Sequence, residues 1–270
     1  MKAIVNVPVC PLYSKDTRQS TLVDEALCGM VVEIIDEVSP GWLKVRTHYH
    51  YEGIVCDEDL LLDDDSVESW EAMPKKVILH KNFCDVLSIP KVQGWIKKTL
   101  PLGALVAPIG EAEDGWVEVQ LPDGESGYVK ECILGEYHVE PVSQDEKTLR
   151  EELVKAVMRY QNTHYRWGGK STHGIDCSGL CSMAYMLCGI LIYRDANIVE
   201  GFPMHPIELK DVKAGDLLFF PGHVAMYLGE NRYCHSTARN SGFAINSLNP
   251  ADPDYREDLH NKITGVASYF

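Results

Sequence analysis

Short runs of alternating apolar and polar residues fill the first half of the chain, and Gly, Pro and Asp residues separate them. Residues 31–35 (Val-Val-Glu-Ile-Ile) and 42–46 (Trp-Leu-Lys-Val-Arg) are two examples. Alternation with a period of two is typical of β-strands that have one buried face. Short strands of this kind predict a small, strongly bent β-barrel for this part of the chain.

An ungapped internal repeat divides this half into two copies. The sequence Gly41-Trp42-Leu-Lys-Val recurs 74 positions later as Gly115-Trp116-Val-Glu-Val. Glycines matched at one fixed offset indicate one backbone plan used twice, and each Gly-Trp pair is expected to start a strand. The same offset relates Gly29 to Gly103, Gly53 to Gly127, Val55 to Val129, and Leu60 to Leu134.

An amphipathic helix is predicted over residues 145–162, after a linker around residues 136–144 that contains Pro141. Asp145 and Glu146 suit the positive end of the helix dipole. This helix opens a further domain, which we expect to extend over the rest of the sequence. Apolar residues recur along it at helical spacing, namely Leu149, Leu153, Ala156, Val157 and Tyr160.

One cysteine is predicted to lie at the start of a later helix. Residues 174–179 (Gly-Ile-Asp-Cys-Ser-Gly) have the composition of a turn, and apolar residues at helical spacing follow over positions 180–188. Cys177 then falls in the first turn, where unpaired backbone N–H groups and the helix dipole stabilise a thiolate or a developing oxyanion. On spacing alone, a buried and inert cysteine is an equal alternative.

Two histidines are predicted to share one face of a β-hairpin. The run that starts at His223 is followed by a turn and then by His235. If Leu228 opposes Arg232, the two histidines are diagonal neighbours on adjacent strands. One could deprotonate Cys177 while the other orients it. A slip of one residue would place the histidines on opposite faces and remove this possibility.

Composition and charge narrow the possible functions. The chain has 270 residues, 45% of them hydrophobic, and a formal net charge of −15. Such an acidic protein repels phosphate backbones, so we expect no nucleic-acid partner. No apolar run reaches the roughly 18 to 20 residues of a membrane span, and the N-terminal residues lack the pattern of a secretory signal. We therefore expect a cytoplasmic protein with no membrane partner.

The nine cysteines are odd in number and include no Cys-x-x-Cys pair. We expect most of them to be buried, reduced side chains in a reducing compartment, and we expect no structural zinc site. His164, His173 and His205 lack paired metal-ligand spacing. The sequence therefore predicts no metal and no other cofactor. It does not fix the oligomeric state, and a monomer agrees with it.

Four motifs follow one another in the second half, and His235 follows the last of them. They are Tyr165-x-Trp-Gly-Gly, Asp176-Cys-Ser-Gly, Ala214-Gly-Asp-Leu-Leu-Phe-Phe and His223-Val-x-x-Tyr-Leu-Gly. In order, spacing and residue type they resemble the NlpC/P60 cysteine peptidases, over roughly residues 145–250. The Gly-Trp repeats resemble bacterial SH3-like (SH3b) domains.

Nearly the whole chain thus resembles the cytoplasmic γ-D-glutamyl-L-diamino acid endopeptidases that recycle cell-wall peptides. The resemblance implies an α+β fold, in which two small SH3-like β-barrels precede a papain-like NlpC/P60 catalytic domain. The expected domains span residues 1–66, 67–140 and 141–270.

The resemblance also implies catalytic roles for individual residues. Cys177 would be the nucleophile, His223 the base and His235 the group that orients the base. Tyr165 occupies the position of a tyrosine whose hydroxyl helps to form the oxyanion hole.

Residues for substrate binding are implied in the same way. Asp176 and Ser178 flank the nucleophile, although Asp176 could instead serve only as a helix cap. We expect Trp167 to serve in packing and loop support, with one wall of the cleft, and hence substrate binding, as the alternative. Asp195 belongs to an Arg-Asp segment near the same pocket. Tyr51 of the first SH3-like domain would bind the substrate amine with an acidic partner, for which the candidates are Asp24 and Glu25.

The implied reaction is hydrolysis of the bond between γ-D-Glu and an L-diamino acid, either Lys or meso-diaminopimelate. The implied substrate is a free murein peptide with an N-terminal L-Ala amine, such as L-Ala-γ-D-Glu-L-Lys. An amidase, transpeptidase or acyltransferase on the same papain-like scaffold is one alternative. A peptidoglycan-binding SH3b protein is another.

Overall fold

The two copies of the repeat form two β-sheets with the same strand plan in the computed structural model, which describes residues 1–270. The first sheet has the order β3-β2-β6-β5-β4-β1-β7. Its strands are β1 (Lys2–Val5), β2 (Val9–Tyr13), β3 (Leu22–Leu27), β4 (Val31–Ser39), β5 (Trp42–Thr47), β6 (Glu52–Cys56) and β7 (Leu60–Leu61).

The second sheet has the order β10-β9-β13-β12-β11-β8-β14, in which each strand occupies the place of the strand seven numbers earlier in the first sheet. The Gly-Trp pairs do start strands, namely β5 and its counterpart β12, so the internal repeat is confirmed. The strands are β8 (Lys76–Ile78), β9 (Phe83–Leu87), β10 (Ile96–Pro101), β11 (Leu105–Pro108), β12 (Trp116–Gln120), β13 (Ser126–Lys130) and β14 (Leu134–Glu136).

Helix α1 (Asp64–Ala72) connects the two sheets, and the predicted boundary between residues 66 and 67 falls inside it. The indole of Trp70 is buried and donates a hydrogen bond to the Gly29 carbonyl at 2.9 Å. The Leu105 amide donates to the Cys28 carbonyl, also at 2.9 Å, so a backbone hydrogen bond joins β11 to the turn between β3 and β4. Both sheets belong to one compact unit, Met1–Tyr137. The division of this unit into two SH3-like domains stays a prediction.

The second unit, His138–Phe270, combines two helices with an antiparallel sheet of order β17-β22-β18-β19-β20-β21. Helix α3 packs against helix α2 and against strands β19 and β20. These elements are α2 (Glu146–Met158), α3 (Cys177–Leu187), β17 (His205–Ile207), β18 (Leu217–Phe220), β19 (His223–Gly229), β20 (Arg232–Thr237), β21 (Gly242–Ser247) and β22 (Gly265–Ser268). The small strand pair β15 (Lys170–Ser171) and β16 (Gly174–Ile175) precedes α3, and the short helix α4 (Glu257–His260) precedes β22.

Helix α2 confirms the predicted amphipathic helix but ends four residues earlier. Its N-cap is Asp145, whose carboxylate accepts a hydrogen bond from the Thr148 amide at 2.9 Å. The chain leaves the helix through turns that end at Asn162, which has a φ of 67°. A left-handed residue cannot continue a right-handed helix. The five apolar positions predicted to face the core are all buried.

Helix α3 is buried on nearly every side, because α2 covers one face and the sheet covers another. Of its eleven residues, only Leu187 is not fully buried. The helix therefore has no solvated face along most of its length. Its first residue, Cys177, lies at a buried helix terminus. None of the helices in the structure is long and apolar enough to cross a membrane.

Candidate active site

Asp176 starts helix α3 and thereby places Cys177 at the helix N-terminus. Its backbone is extended, and its carboxylate accepts a hydrogen bond from the Gly179 amide at 2.6 Å, which is the geometry of an N-cap. The side chain of Cys177 follows directly and is 7% exposed. Cys177 therefore lies in the first helical turn, as the sequence predicts, and its sulfur accepts a hydrogen bond from the backbone of Ser178.

The Asp176 carboxylate has several further partners. Arg194 donates to Oδ1 and Oδ2 through separate guanidinium nitrogens, each at 3.1 Å, and the Gly168 amide donates at 2.9 Å. The Ser178 hydroxyl also donates to Oδ1, at 3.2 Å, and accepts from Arg194 at 2.8 Å. The alternative of a helix cap for Asp176 is therefore confirmed. The roles of Asp176 and Ser178 in substrate binding stay predictions.

Three glycines let the chain pass close to the start of α3. A Cβ atom on Gly179 would overlap the carbonyl oxygen of Gly169, and a Cβ atom on Gly169 would overlap the carbonyl of Gly174. Gly168 has a φ of 71°, which suits glycine far better than other residues. The motifs Trp-Gly-Gly and Cys-Ser-Gly thus require glycine because two backbone segments touch there.

The hairpin of β19 and β20 sets the position of the two histidines. Met226 pairs with Cys234 and Tyr227 pairs with Tyr233, which is the predicted register. The predicted pairing of Leu228 with Arg232 is wrong, because a bulge at Leu228 makes Gly229 the partner of Arg232. The turn residues Glu230 and Asn231 have φ values of 50° and 60°, as a two-residue turn of type I′ requires.

His223 and His235 share one face of this hairpin, so that prediction is confirmed. His223 Nε2 lies 2.7 Å from His235 Nδ1, and the ring centroids are 4.9 Å apart. His235 is completely buried, whereas His223 at the start of β19 is partly exposed. The second ring nitrogen of His223, Nδ1, takes no part in the contact between the two histidines.

Cys177 lies beside the start of β19. Its sulfur accepts a hydrogen bond from the backbone of Val224, the residue after His223, and α3 packs on this strand. Burial raises the pKa of the Cys177 thiol to about 11, and the nearby Asp176 carboxylate adds to the effect. Burial lowers the pKa of His223 to about 4, assisted by the positive charge of Arg256. The resting pair is therefore a neutral thiol and a neutral imidazole.

Tyr165 is placed near the same sulfur. Its amide donates to the Ser241 carbonyl at 2.9 Å, and its backbone forms a bridge with Ile175. Burial raises the pKa of the Tyr165 phenol to about 12, and the charges of Cys177 and Asp176 raise it further. The phenol consequently keeps its proton near neutral pH and can donate a hydrogen bond, as an oxyanion hole requires.

Comparison with known proteins agrees with this geometry. The model of the NlpC/P60 family matches residues 162–257, which include every residue described so far at the helix terminus and the hairpin. Dipeptidyl-peptidase 6 of Lysinibacillus sphaericus is 44% identical to the chain, with 100% of both chains covered. The chain belongs to the NlpC/P60 family. It is therefore a peptidase with a mixed α and β fold.

Two further NlpC/P60 relatives extend the comparison. The γ-D-glutamyl-L-lysine dipeptidyl-peptidase of Bacillus subtilis is 33% identical over 149 residues, which cover 50% of this chain and 49% of the relative. A solved NlpC/P60 family protein from Bacillus cereus superposes with a TM-score of 0.81 at 20% identity, covering 100% of this chain and 99% of that one. The solved structure shows that the two proteins share a fold.

A small pocket lies next to the nucleophile of this NlpC/P60 protein. Asp195 lines it, so the structure brings this predicted residue close to the site. Trp167 is 65% exposed, so the expected packing role is wrong. Its role in substrate binding stays a prediction. The pocket lining includes Ser178, Tyr193, Asp195, Phe202, Phe219 and Val224.

The residues predicted to bind the substrate amine from the N-terminal half lie in the first unit. Tyr51 precedes β6. Its carbonyl accepts a hydrogen bond from the Thr47 amide, and its amide donates to the Thr47 hydroxyl. Asp24 and Glu25 are buried in β3, and the Tyr49 phenol donates to the Asp24 carboxylate at 2.5 Å. Sequence reasoning did not identify Tyr49. The amine-binding role of Tyr51 stays a prediction.

Two residues of the site carry no clear sequence signal. Arg194 was recognised only as part of an Arg-Asp segment, although its guanidinium holds Asp176. Asn246 was not identified, and its carbonyl oxygen lies 3.0 Å from His235 Nε2. The structure contains no group of three or more His, Cys, Asp or Glu side chains that could hold a metal ion.

Proposed function

We propose that this protein hydrolyses the bond between γ-D-Glu and an L-diamino acid in free murein peptides. L-Ala-γ-D-Glu-L-Lys, or its diaminopimelate counterpart, would yield the dipeptide L-Ala-D-Glu and the free diamino acid. The observation that carries the proposal is a cysteine at a buried helix N-terminus beside a hydrogen-bonded histidine pair. The activities for which the relatives from L. sphaericus and B. subtilis are named support the dipeptide product and the γ-D-glutamyl-L-lysine bond.

The proposed reaction begins with Cys177 and His223. Because both groups are neutral at rest, the thiol proton passes to His223 Nδ1 as the sulfur attacks the γ-carbonyl carbon of D-Glu. The carbonyl oxygen becomes an oxyanion. The Tyr165 hydroxyl and the Cys177 backbone N–H donate hydrogen bonds to it in this proposal.

The intermediate then collapses to a thioester. The C–N bond breaks, and the leaving amine of the diamino acid takes the proton from His223. Water next attacks the thioester carbon, with His223 accepting a proton from it. The C–S bond breaks, and the returned proton restores the Cys177 thiol. Each step moves one proton between named groups and needs no metal or redox partner.

A free N-terminal amine on the substrate is part of the proposal, because an enzyme that releases a dipeptide recognises the end of a chain. The amine is cationic near neutral pH and is best bound by a carboxylate. The two hydrogen bonds from Arg194 neutralise much of the Asp176 charge. We therefore propose that Asp176 positions the site, and that Tyr51 and an acidic partner contribute to amine binding.

The two repeated sheets are part of the same proposal. We infer that each is an SH3-like module, an inference supported by their identical strand order and by the Gly-Trp pair that starts β5 and β12.

The test is mass spectrometry of the protein incubated with L-Ala-γ-D-Glu-L-Lys, alongside the same peptide with an N-acetyl group. The proposal predicts L-Ala-D-Glu and lysine from the free peptide and no cleavage of the acetylated one. Cleavage of both peptides would support the proposed bond specificity and contradict the proposed recognition of the free amine. If neither peptide nor its diaminopimelate counterpart is cleaved, the proposed substrate is wrong.

The matched variant for amine recognition is Tyr51→Phe, which removes one hydroxyl and keeps the ring. The proposal predicts a higher KM for the free peptide and a kcat close to that of the unmodified protein. An unchanged KM would remove Tyr51 from the proposed amine site and leave the hydrolytic mechanism intact.

A further inference from the structure

Asn246 stands next to the histidine pair on the neighbouring strand. His235 pairs with Ala244 across β20 and β21, so Asn246 is its diagonal neighbour on the same face. The Asn246 side chain is buried, and its Oδ1 lies 3.0 Å from His235 Nε2. Both ring nitrogens of His235 are therefore engaged, one by His223 and the other by Asn246.

The orientation of the Asn246 amide is fixed by a second contact. Its Nδ2 donates to the backbone carbonyl of Asp254 at 2.8 Å, and a carbonyl oxygen can only accept. Nδ2 must therefore face Asp254, and Oδ1 must face His235. Asp254 is itself held by Arg232 of β20, with N–O distances of 3.0 and 2.6 Å.

We propose that Asn246 is a positioning residue that fixes the tautomers of both histidines and so leaves His223 Nδ1 without a proton, ready to accept one from Cys177. This inference rests on the proposed roles of Cys177 and His223. Since Asn246 Oδ1 accepts only, His235 carries its proton on Nε2 and its Nδ1 accepts. His223 must then donate from Nε2, and a neutral imidazole that donates from Nε2 has an unprotonated Nδ1.

A neutral amide suits this position because it orients the ring without adding charge. Burial lowers the pKa of His235 to about 4, and His223 and Arg256 oppose its protonation further. The negative charges of Asp258 near His235 and of Asp176 near His223 act in the opposite direction. A carboxylate at position 246 would stabilise imidazolium, which cannot accept the thiol proton.

Two variants separate the acceptor role of Asn246 from its contact with Asp254. Asn246→Leu removes both the donor to Asp254 and the acceptor for His235. Asn246→Asp also removes the amide donor but keeps an oxygen that accepts from His235. A difference between the two variants in the tautomer of His235 therefore reports the acceptor, because both lose the amide donor to the same carbonyl.

The first measurement is NMR of the full chain labelled with ¹⁵N-histidine, with assignments taken from His223→Gln and His235→Gln. Near pH 7 both rings are expected as Nε2–H tautomers in the unmodified protein and in Asn246→Asp. In Asn246→Leu, His235 is expected as a mixture of tautomers. A predominant Nδ1–H tautomer of His235 in the unmodified protein would overturn the inference. So would an unchanged tautomer in Asn246→Leu. This readout needs no substrate, so it stays informative if the proposed reaction is wrong.

The second measurement is the pH profile of peptide cleavage. Asn246→Leu is expected to lower kcat at least tenfold with KM within twofold of the unmodified protein. Asn246→Asp is expected to keep more activity than Asn246→Leu at high pH and to move the acid limb upward by about one pH unit, because its carboxylate stabilises imidazolium. Equal losses of activity in both variants, with an unmoved acid limb, would show that Asn246 only anchors the segment around Asp254.

Discussion

The guanidinium of Arg194 donates two hydrogen bonds of 3.1 Å to the carboxylate of Asp176, one to each oxygen. Both side chains are buried, and the backbone of Asp176 leads directly into Cys177. The same carboxylate caps α3 and accepts from the Gly168 amide. One ion pair therefore ties the Trp-Gly-Gly turn, the start of the helix and the segment around Arg194 together.

Removal of Arg194 should destabilise the protein strongly. Arg194→Met leaves a buried carboxylate without its cation, a change that typically costs about 3–5 kcal/mol of the free energy of unfolding. The measurement is urea-induced unfolding of the full chain near neutral pH. The control is Arg239→Met, which breaks the exposed pair of Arg239 with Asp258 and should cost less than about 1 kcal/mol. Equal costs for the two variants would argue against a structural role for the buried pair.

Gly179→Ala should also destabilise, although alanine is the better helix former by about 1 kcal/mol. The added Cβ atom would overlap the carbonyl oxygen of Gly169, so either the turn or the helix start must move. We expect a lower melting temperature together with reduced peptide cleavage. Gly265→Ala is the control, because a Cβ atom there meets no neighbouring atom. A Gly179→Ala protein as stable as the unmodified one would contradict the close approach described here.

The histidine pair should make stability depend on pH. The pKa values of His223 and His235 are lowered from 6.5 to about 4 in the folded protein. Below pH 6.5 the unfolded chain therefore binds protons that the folded chain does not. The stabilisation is complete above pH 6.5 and is lost as pH falls toward 4. The check is the melting temperature measured between pH 7.5 and 5, compared with that of His235→Gln, which should show a smaller decrease. Parallel decreases in the two proteins would refute the contribution of His235.

The same pKa values bear on activity. His223 must be neutral to accept the thiol proton, and its pKa of about 4 keeps it neutral well below pH 6.5. We expect kcat/KM for the free peptide to remain on its plateau down to about pH 5 and to fall below that. An acid limb centred near pH 6.5 would indicate that His223 titrates as an exposed histidine does.

Features that depend on local periodicity could be predicted from the sequence. The sequence repeat with its fixed offset of 74 positions corresponds to two sheets that have the same strand order. The cysteine at the start of α3 and the shared face of His223 and His235 follow from helical spacing and from alternation along a hairpin. The bulge at Leu228 could not be predicted from the sequence. Two-residue turns of this type usually contain glycine, whereas this turn consists of Glu230 and Asn231.

Contacts between segments that are distant in sequence could not be predicted in this way. Arg194 reaches Asp176 across 18 residues, and Asn246 reaches His235 from the next strand with no motif around it. Helix α1 spans the predicted boundary at residues 66 and 67, and Trp70 bonds back to Gly29. The exposure of Trp167 likewise depends on how neighbouring segments pack.

In the proposed reaction, Cys177 is the nucleophile that cleaves the γ-D-glutamyl bond. The most direct measurement is the rate of lysine release from L-Ala-γ-D-Glu-L-Lys by Cys177→Ala, with Cys132→Ala as the control for an exposed cysteine elsewhere in the chain. We expect a loss of at least about 10³-fold for Cys177→Ala, because only binding and oxyanion stabilisation remain, and an unchanged rate for Cys132→Ala. Lysine release by Cys177→Ala at a rate close to that of the unmodified protein would contradict the proposed reaction.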